Sequence, residues 1–207
     1  MGGARRPLIG LVDYGMGNRR SVEKALEHVG AQVVVGSNAA ALAGTQKLVV
    51  PGVGAFPKAM ERLRELGLDT FLRERAAADV PVLGICLGMH LFFERSSELG
   101  GSEGLGVVPG EVRALAANGL KLPQIGWNEV HWERASAVLD GLDASTVFYH
   151  VHSFVPVPAD ETDVLGTAEY GERFASVVSR GPFLGVQFHP EKSSHDGLTL
   201  LRNWVAA

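Results

Sequence analysis

Cysteine is all but missing from this sequence: Cys86 is the one thiol in 207 residues. A lone thiol forms no intramolecular disulfide, which excludes a disulfide-stapled scaffold and points to a reducing compartment, the cytoplasm. A large excess of one sign of charge is lacking too. The net charge is −4 and no Lys/Arg block stands out, so neither nucleic acid nor another polyanion is expected as a partner. No apolar run is long enough to span a membrane. The longest, Val80 to Phe93, is interrupted by Pro81, Gly84, Gly88 and His90. Near the start, Arg5 and Arg6 precede Leu8 to Val12, but that run contains Gly10 and stops at Asp13, too short for the core of a secretory leader. What is present is globular in character, 46% hydrophobic and 20% charged, with length enough for one α/β domain over 1–207.

Short β-branched runs alternate with helical patterns, which predicts βαβ units. Strands are expected at Leu8–Asp13, Ala31–Val35, Lys47–Val50 and Val82–Ile85. Arg19–Val29 places Val22, Ala25, Leu26 and Val29 on one stripe and stops at Gly30, so it reads as a helix. Asp69 is placed to cap another through Ala78. Beyond Gly100 the strands shorten: Gly126–Trp132, Val147–Val155, Val164–Glu169, Ala175–Ser179 and Leu184–Phe188, then a last helix from about Asp196. No repeat or linker interrupts the chain. The expected fold is a single α/β domain with a mixed, mostly parallel sheet flanked by helices.

Gly84-Ile85-Cys86-Leu87-Gly88 leaves a buried strand and enters a helix. A nucleophile on such a turn needs small neighbours two residues away on each side. The helix start beneath it favours a thiolate, and its free N–H groups, notably that of Leu87, can receive an oxyanion. A lone cysteine is more often an inert core residue; the flanking glycines and the strand-to-helix setting reverse that. The thiol needs a base, and Phe188-His189-Pro190-Glu191 offers one at the end of an apolar strand. His189 can reach across the top of the sheet, and Glu191 can accept from its other nitrogen. Taken alone such a pair is more often solvated, but Pro190 stiffens its spacing. In Pro51-Gly52-Val53-Gly54, the N–H of Val53 or Gly54 could complete an oxyanion hole.

Two other signals carry less. Gly15-Met16-Gly17 follows the first strand, but a third glycine is missing and Gly36-Ser37 stands where a dinucleotide site needs an acid. His150 and His152 share one strand face, without the carboxylates or cysteines of a metal cluster. No cofactor and no metal is expected.

Together, Gly84-Ile85-Cys86-Leu87-Gly88, His189-Pro190-Glu191 and Pro51-Gly52-Val53-Gly54 resemble the class I (triad) glutamine amidotransferases. The resemblance narrows to the HisH type through Asp13-Tyr14-Gly15-Met16-Gly17-Asn18, Gly104-Leu105-Gly106-Val107-Val108-Pro109-Gly110, Pro123-Gln124-Ile125-Gly126-Trp127-Asn128 and His189-Pro190-Glu191-Lys192-Ser193. It implies Cys86 as nucleophile, His189 as acid/base, Glu191 as orienting carboxylate, and the Val53 and Leu87 N–H groups as oxyanion donors. It also implies Gly54, His90, Ser153 and Phe154 around the glutamine, and Asn18, Trp127, Asn128 and Lys192 at a partner interface. The family usually has glutamine at position 90 and often tyrosine at 154, so both positions depart from its pattern. The implied activity is hydrolysis of L-glutamine to glutamate and ammonia through a thioester. The ammonia would go to a barrel-shaped cyclase subunit, a heterodimer partner, in histidine biosynthesis. His90 lies four residues past Cys86 and is expected to bind substrate with a titration near neutrality. Two other readings stand beside this one: a different cysteine hydrolase or peptidase on a similar sheet, told apart by free glutamine, which a peptidase would ignore, and a non-catalytic scaffold, in which Cys86 would alkylate slowly.

Overall fold

A computed structural model describes residues 6–207; Arg5 of the leader argument lies outside the described residues. In chain order the elements are β1 (Leu8–Val12), α1 (Arg19–His28), β2 (Gln32–Gly36), α2 (Ala39–Leu42), β3 (Lys47–Gly52), α3 (Phe56–Glu65), α4 (Leu68–Ala77), β4 (Val82–Cys86) and α5 (Leu87–His90). Then follow β5 (Phe93–Ser96), β6 (Ser102–Glu103), β7 (Val108–Ala114), β8 (Gln124–Trp132), β9 (Ser145–His152), β10 (Phe154–Pro158), β11 (Val164–Tyr170), β12 (Glu172–Arg180), β13 (Phe183–Val186) and α6 (Ser194–Ala206).

The nine-stranded sheet runs β2-β1-β3-β4-β13-β12-β11-β8-β9. It is parallel from β2 through β13 and antiparallel from β13 to β9. The fully buried strands β3 and β4 read as apolar runs because both faces are covered. On one face α1 and α6 bury Val22, Leu26, Leu200, Leu201 and Trp204. On the other, α3 and α4 bury Phe56, Met60, Leu63, Leu68 and Leu72 together with Phe93, Val108 and Val112 of a second sheet. That four-stranded sheet, β10-β7-β5-β6, adds a layer to the single sheet expected.

Three local readings change. Asp69 does not cap α4: Gly67, at φ 66°, occupies that position, and Asp69 instead pairs with Arg73 one turn on, at 2.9 Å. α3 was not anticipated. The single strand expected over Val147–Val155 is two. β9 ends at His152 on the edge of the large sheet, while β10 starts at Phe154 and pairs with β7 of the other sheet. The Ser153 carbonyl between them accepts from the Leu115 N–H at 2.9 Å, and this corner opens beside the carboxyl ends of β3 and β4.

Candidate active site

β3 and β4 run in register, with Gly52 beside Cys86, so both strands deliver their ends to one place. Successive strands depart from β1 in opposite directions, to β2 and then to β3, and such a switch leaves a crevice at the carboxyl ends. Cys86 closes β4 with φ 53° and ψ −115°, a left-handed conformation a side-chain-bearing residue holds only when its surroundings force it. The glycines are what make the turn possible. A Cβ on Gly88 would lie 1.8 Å from the Val50 carbonyl oxygen, and one on Gly84 would lie 2.7 Å from the Met89 Cα. Gly52 is equally constrained, since its Cβ would meet the Tyr14 hydroxyl at 2.5 Å. That hydroxyl donates to the Pro51 carbonyl at 2.8 Å, tying the loop after β1 to the turn after β3. The helix after the thiol, α5, spans only Leu87–His90, so the helix dipole expected there is a single turn's worth. Leu87 opens it, and its N–H has no acceptor within the helix.

His189 lies beyond β13, where the backbone is pinned. Its N–H donates to the Tyr149 carbonyl at 2.9 Å, and its carbonyl accepts from the Ser193 hydroxyl at 2.7 Å. Nδ1 donates to Oε1 of Glu191 at 2.9 Å, with the two side chains 4% and 1% exposed. Nε2 is thereby left for the thiol. Burial by itself lowers the imidazole's pKa, but hydrogen bonds to Cys86 and Glu191, and their charges, outweigh it and push the group up to about 10. The raised pKa favours the imidazolium form of His189 beside the sulfur.

A cleft of about 420 Å³ lies over the sulfur. It brings together Val53, Gly54, Cys86, Leu87, His90, Ser153, Phe154, His189 and Lys192, nine of the positions singled out in the sequence. Glu191 stands behind His189 rather than in the cleft wall. Asn18, Trp127 and Asn128 are outside the cleft. Asn18 is the half-buried residue before α1 and makes no capping bond. Trp127 is exposed, edge-on to Tyr149 with centroids 5.9 Å apart, and the Lys192 Nζ sits 6.0 Å over that same ring. Asn128, the next residue along β8, faces the other side of the sheet and donates to the Glu169 carbonyl at 3.0 Å.

His90 departs from the expectation in one respect. It lines the cleft, but burial pushes its pKa down to about 4, with a hydrogen bond to Gln187 opposing the shift. It stays neutral across the physiological range instead of titrating there. His150 is spent on local bonds, to the Phe148 carbonyl and the Ser176 hydroxyl, each at 3.0 Å; His152 bonds the Phe154 carbonyl through Nδ1 at 3.0 Å, while its Nε2 is buried without a partner among the described residues. Burial pushes them down to about 4 and about 3.

Sequence reasoning missed Tyr14, Glu98 and Gln187, and it set aside His152, which lines the cleft. Glu98 brings a carboxylate to the cleft; its Oε2 accepts from the Phe56 N–H at 2.8 Å, leaving the other oxygen available. Gln187 did leave a signal, as the one polar residue within the apolar run Leu184–Phe188.

The sequence and the fold have close counterparts. Residues 10–207 match the family model described as glutamine amidotransferase class-I. The chain is 47% identical over 196 residues to the imidazole glycerol phosphate synthase subunit HisH of Moorella thermoacetica, covering 95% of this chain and 93% of that one. It is 48% identical over 195 residues to that of Aquifex aeolicus, covering 94% of each. Among solved structures, PurLQS from Thermotoga maritima superposes with a TM-score of 0.78 at 16% identity, over 98% of this chain and 99% of that one. A crystal structure of a glutamine amidotransferase gives 0.75 at 22% identity, over 96% and 99%.

Proposed function

The chain belongs to the class-I glutamine amidotransferase family, in its HisH branch, and we propose that Cys86, His189 and Glu191 carry its hydrolysis of glutamine. As a HisH subunit it is the glutaminase part of imidazole glycerol phosphate synthase, acting in histidine biosynthesis. The observation that carries the assignment of the triad is the meeting, in one cleft, of a thiol on a left-handed turn and an imidazole bonded to a buried carboxylate.

The Cys86 thiolate attacks the side-chain carboxamide carbon of L-glutamine. Charge that develops on the carbonyl oxygen falls to the backbone N–H groups of Val53 and Leu87. His189 gives its proton to the departing nitrogen, ammonia leaves, and the acyl group stays on sulfur as a thioester. His189, now neutral, takes a proton from water as the water adds to the thioester carbon, and glutamate is released. Glu191 holds the imidazole's orientation and supports its charge in both steps. Glu98 suits the substrate's α-ammonium, and Gly54, His90, Ser153 and Phe154 line its bed.

The name of the subunit implies a partner subunit. We take that partner to be the cyclase barrel, in a heterodimer made through Trp127 and Lys192, with Asn18 and Asn128 at its margin. The whole chain is read as one domain. No helix among the described residues is long and apolar enough to cross a membrane, and a nucleophile that works only as a free thiol suits the cytoplasm.

The test is glutamine turnover by the isolated chain and by its complex with the cyclase, for the wild type and Cys86→Ala. Turnover is expected to be negligible alone, strong in the complex, and abolished in Cys86→Ala while the thermal unfolding midpoint is retained. Turnover in Cys86→Ala comparable to wild type would overturn the assignment.

A further inference from the structure

We propose that Gln187 tunes and aims the Cys86 thiolate, and that His90 is the positioning residue that holds the Gln187 amide in the orientation this requires. The proposal rests on the glutaminase reading for the nucleophile's role, but not for its geometry. Gln187 continues the line of β13, its N–H donating to the Ser176 carbonyl at 2.8 Å, and its side chain is fully buried. A buried amide is costly unless both of its ends are partnered. Here Nε2 donates to the Cys86 Sγ at 3.8 Å, and Oε1 faces Nε2 of His90 at 2.8 Å.

The protonation of this chain follows from the chemistry at its end. A thiolate has no proton and can only accept, so Gln187 must turn its NH₂ towards the sulfur. Its carbonyl oxygen is then the acceptor for His90, and the His90 Nε2 must carry the proton. Burial keeps that imidazole neutral, so its Nδ1 is left as an acceptor only. A neutral thiol has a different partner: Sγ donates to the Val151 carbonyl at 3.7 Å. When His189 takes the proton, the sulfur loses that bond and keeps the one from Gln187. The pair Val151 carbonyl and Gln187 amide therefore pulls the two protonation states in opposite directions, and Gln187 favours the reactive one. The other titratable groups around the sulfur are His189, with Glu191 behind it, Tyr14 from the loop after β1, and His152, Glu98 and Lys192 in the cleft wall.

Because Cys86 is the sole thiol, alkylation of the full-length chain by iodoacetamide, read by intact mass from pH 5 to 9, reports on it alone. Gln187→Met keeps the length and removes the donor. The lower midpoint of the rate profile is expected to rise by about one pH unit, roughly a tenfold loss of thiolate at a given pH below it. His90→Leu, which leaves Gln187 in place but free to flip, moves the midpoint the same way by less. In His90→Gln a side-chain amide can again donate to the Gln187 carbonyl, so the midpoint returns towards wild type. The double variant His90→Leu/Gln187→Met shifts no further than Gln187→Met. Should Gln187→Met fail to fold by its thermal midpoint, the His90→Leu and His90→Gln pair decides. An unmoved midpoint in a folded Gln187→Met, or equal shifts in both His90 variants, overturns the proposal. The assay uses no glutamine, so failure of the wild-type complex to hydrolyse glutamine would count against the glutaminase reading separately.

Discussion

His189 and Glu191 are joined across a single proline at 2.9 Å, and the second carboxylate oxygen, Oε2, is buried with no partner among the described residues. A carboxylate so poorly solvated is stabilised chiefly by the imidazolium it touches. That makes the pair a sensor of charge rather than of shape.

Glu191→Gln keeps an oxygen that can accept from Nδ1 but removes the charge. With cyclase present, kcat is expected to fall by about 10²- to 10⁴-fold, the usual worth of acid–base catalysis. The same variant changes the pH dependence of stability. The folded wild type holds His189 above its usual value, up to about 10. Its charged form therefore contributes stability fully below about pH 6.5, and that contribution is lost as pH rises towards 10. Calorimetric unfolding between pH 6 and 10 should show a shallower decline in Glu191→Gln than in wild type. Superimposable curves, after both are normalised at pH 6, would show that Glu191 does not hold the imidazolium.

The glycines of the turn make a second test, this time of the fold. A Cβ at Gly88 would strike the Val50 carbonyl oxygen at 1.8 Å, backbone against backbone, where no side chain can swing aside. Gly88→Ala is expected to cost about 4 kcal/mol or more, the range reserved for specific structural conflicts. Gly44 has nothing near its missing Cβ, and Gly44→Ala should fall within about 0.5 kcal/mol of wild type. Urea unfolding of the two variants measures both. A Gly88→Ala chain that unfolds with the stability of Gly44→Ala would mean that the turn relaxes, and its strain would then not be imposed by packing.

What the sequence disclosed and what it withheld divide along a physical line. The Cys86 turn was legible because backbone sterics write themselves locally, as glycines at fixed distances from the thiol. β1, α1 and β4 were legible for a similar reason, each carrying its own periodicity. α3 also carries a stripe, Phe56, Ala59, Met60 and Leu63, but it begins directly after the Pro51-Gly52-Val53-Gly54 turn, which drew attention to a loop. The break between β9 and β10 was hidden because Val147–Val155 carries valines and aromatics to both ends and no Gly or Pro marks a break; only pairing with β7 separates its two ends. His90 failed differently. Its place in the cleft follows from its spacing, but its neutrality depends on burial and on Gln187, 97 residues away, which no local pattern records.

The outer face of β8 and β9 carries the last prediction. Alternation places Ile125 and Trp127 on the same side as their cross-strand neighbours Val151 and Tyr149, with Val147 further along. Ile125, Trp127 and Val147 are 62%, 54% and 46% exposed, an apolar platform on an edge of the sheet where solvent would ordinarily select polar residues. The platform touches the chemistry at two points: Val151 lines the cleft and its carbonyl accepts from Cys86, and Lys192 lies in the cleft wall over the Tyr149 ring. A partner seated here would therefore press on the site as it binds. Trp127→Ala should weaken binding of the cyclase by about 30-fold, equivalent to about 2 kcal/mol for a central aromatic anchor. Lys192→Ala should act on the other half of the coupling. Being exposed, it should alter stability by no more than about 0.5 kcal/mol, yet reduce the cyclase's stimulation of glutamine turnover by more than it reduces affinity. Titration calorimetry for binding and a coupled glutamate assay for turnover separate the two effects. If Trp127→Ala binds the cyclase as tightly as wild type, the platform is not the interface; if Lys192→Ala loses affinity and stimulation in equal measure, Lys192 only helps to dock the partner.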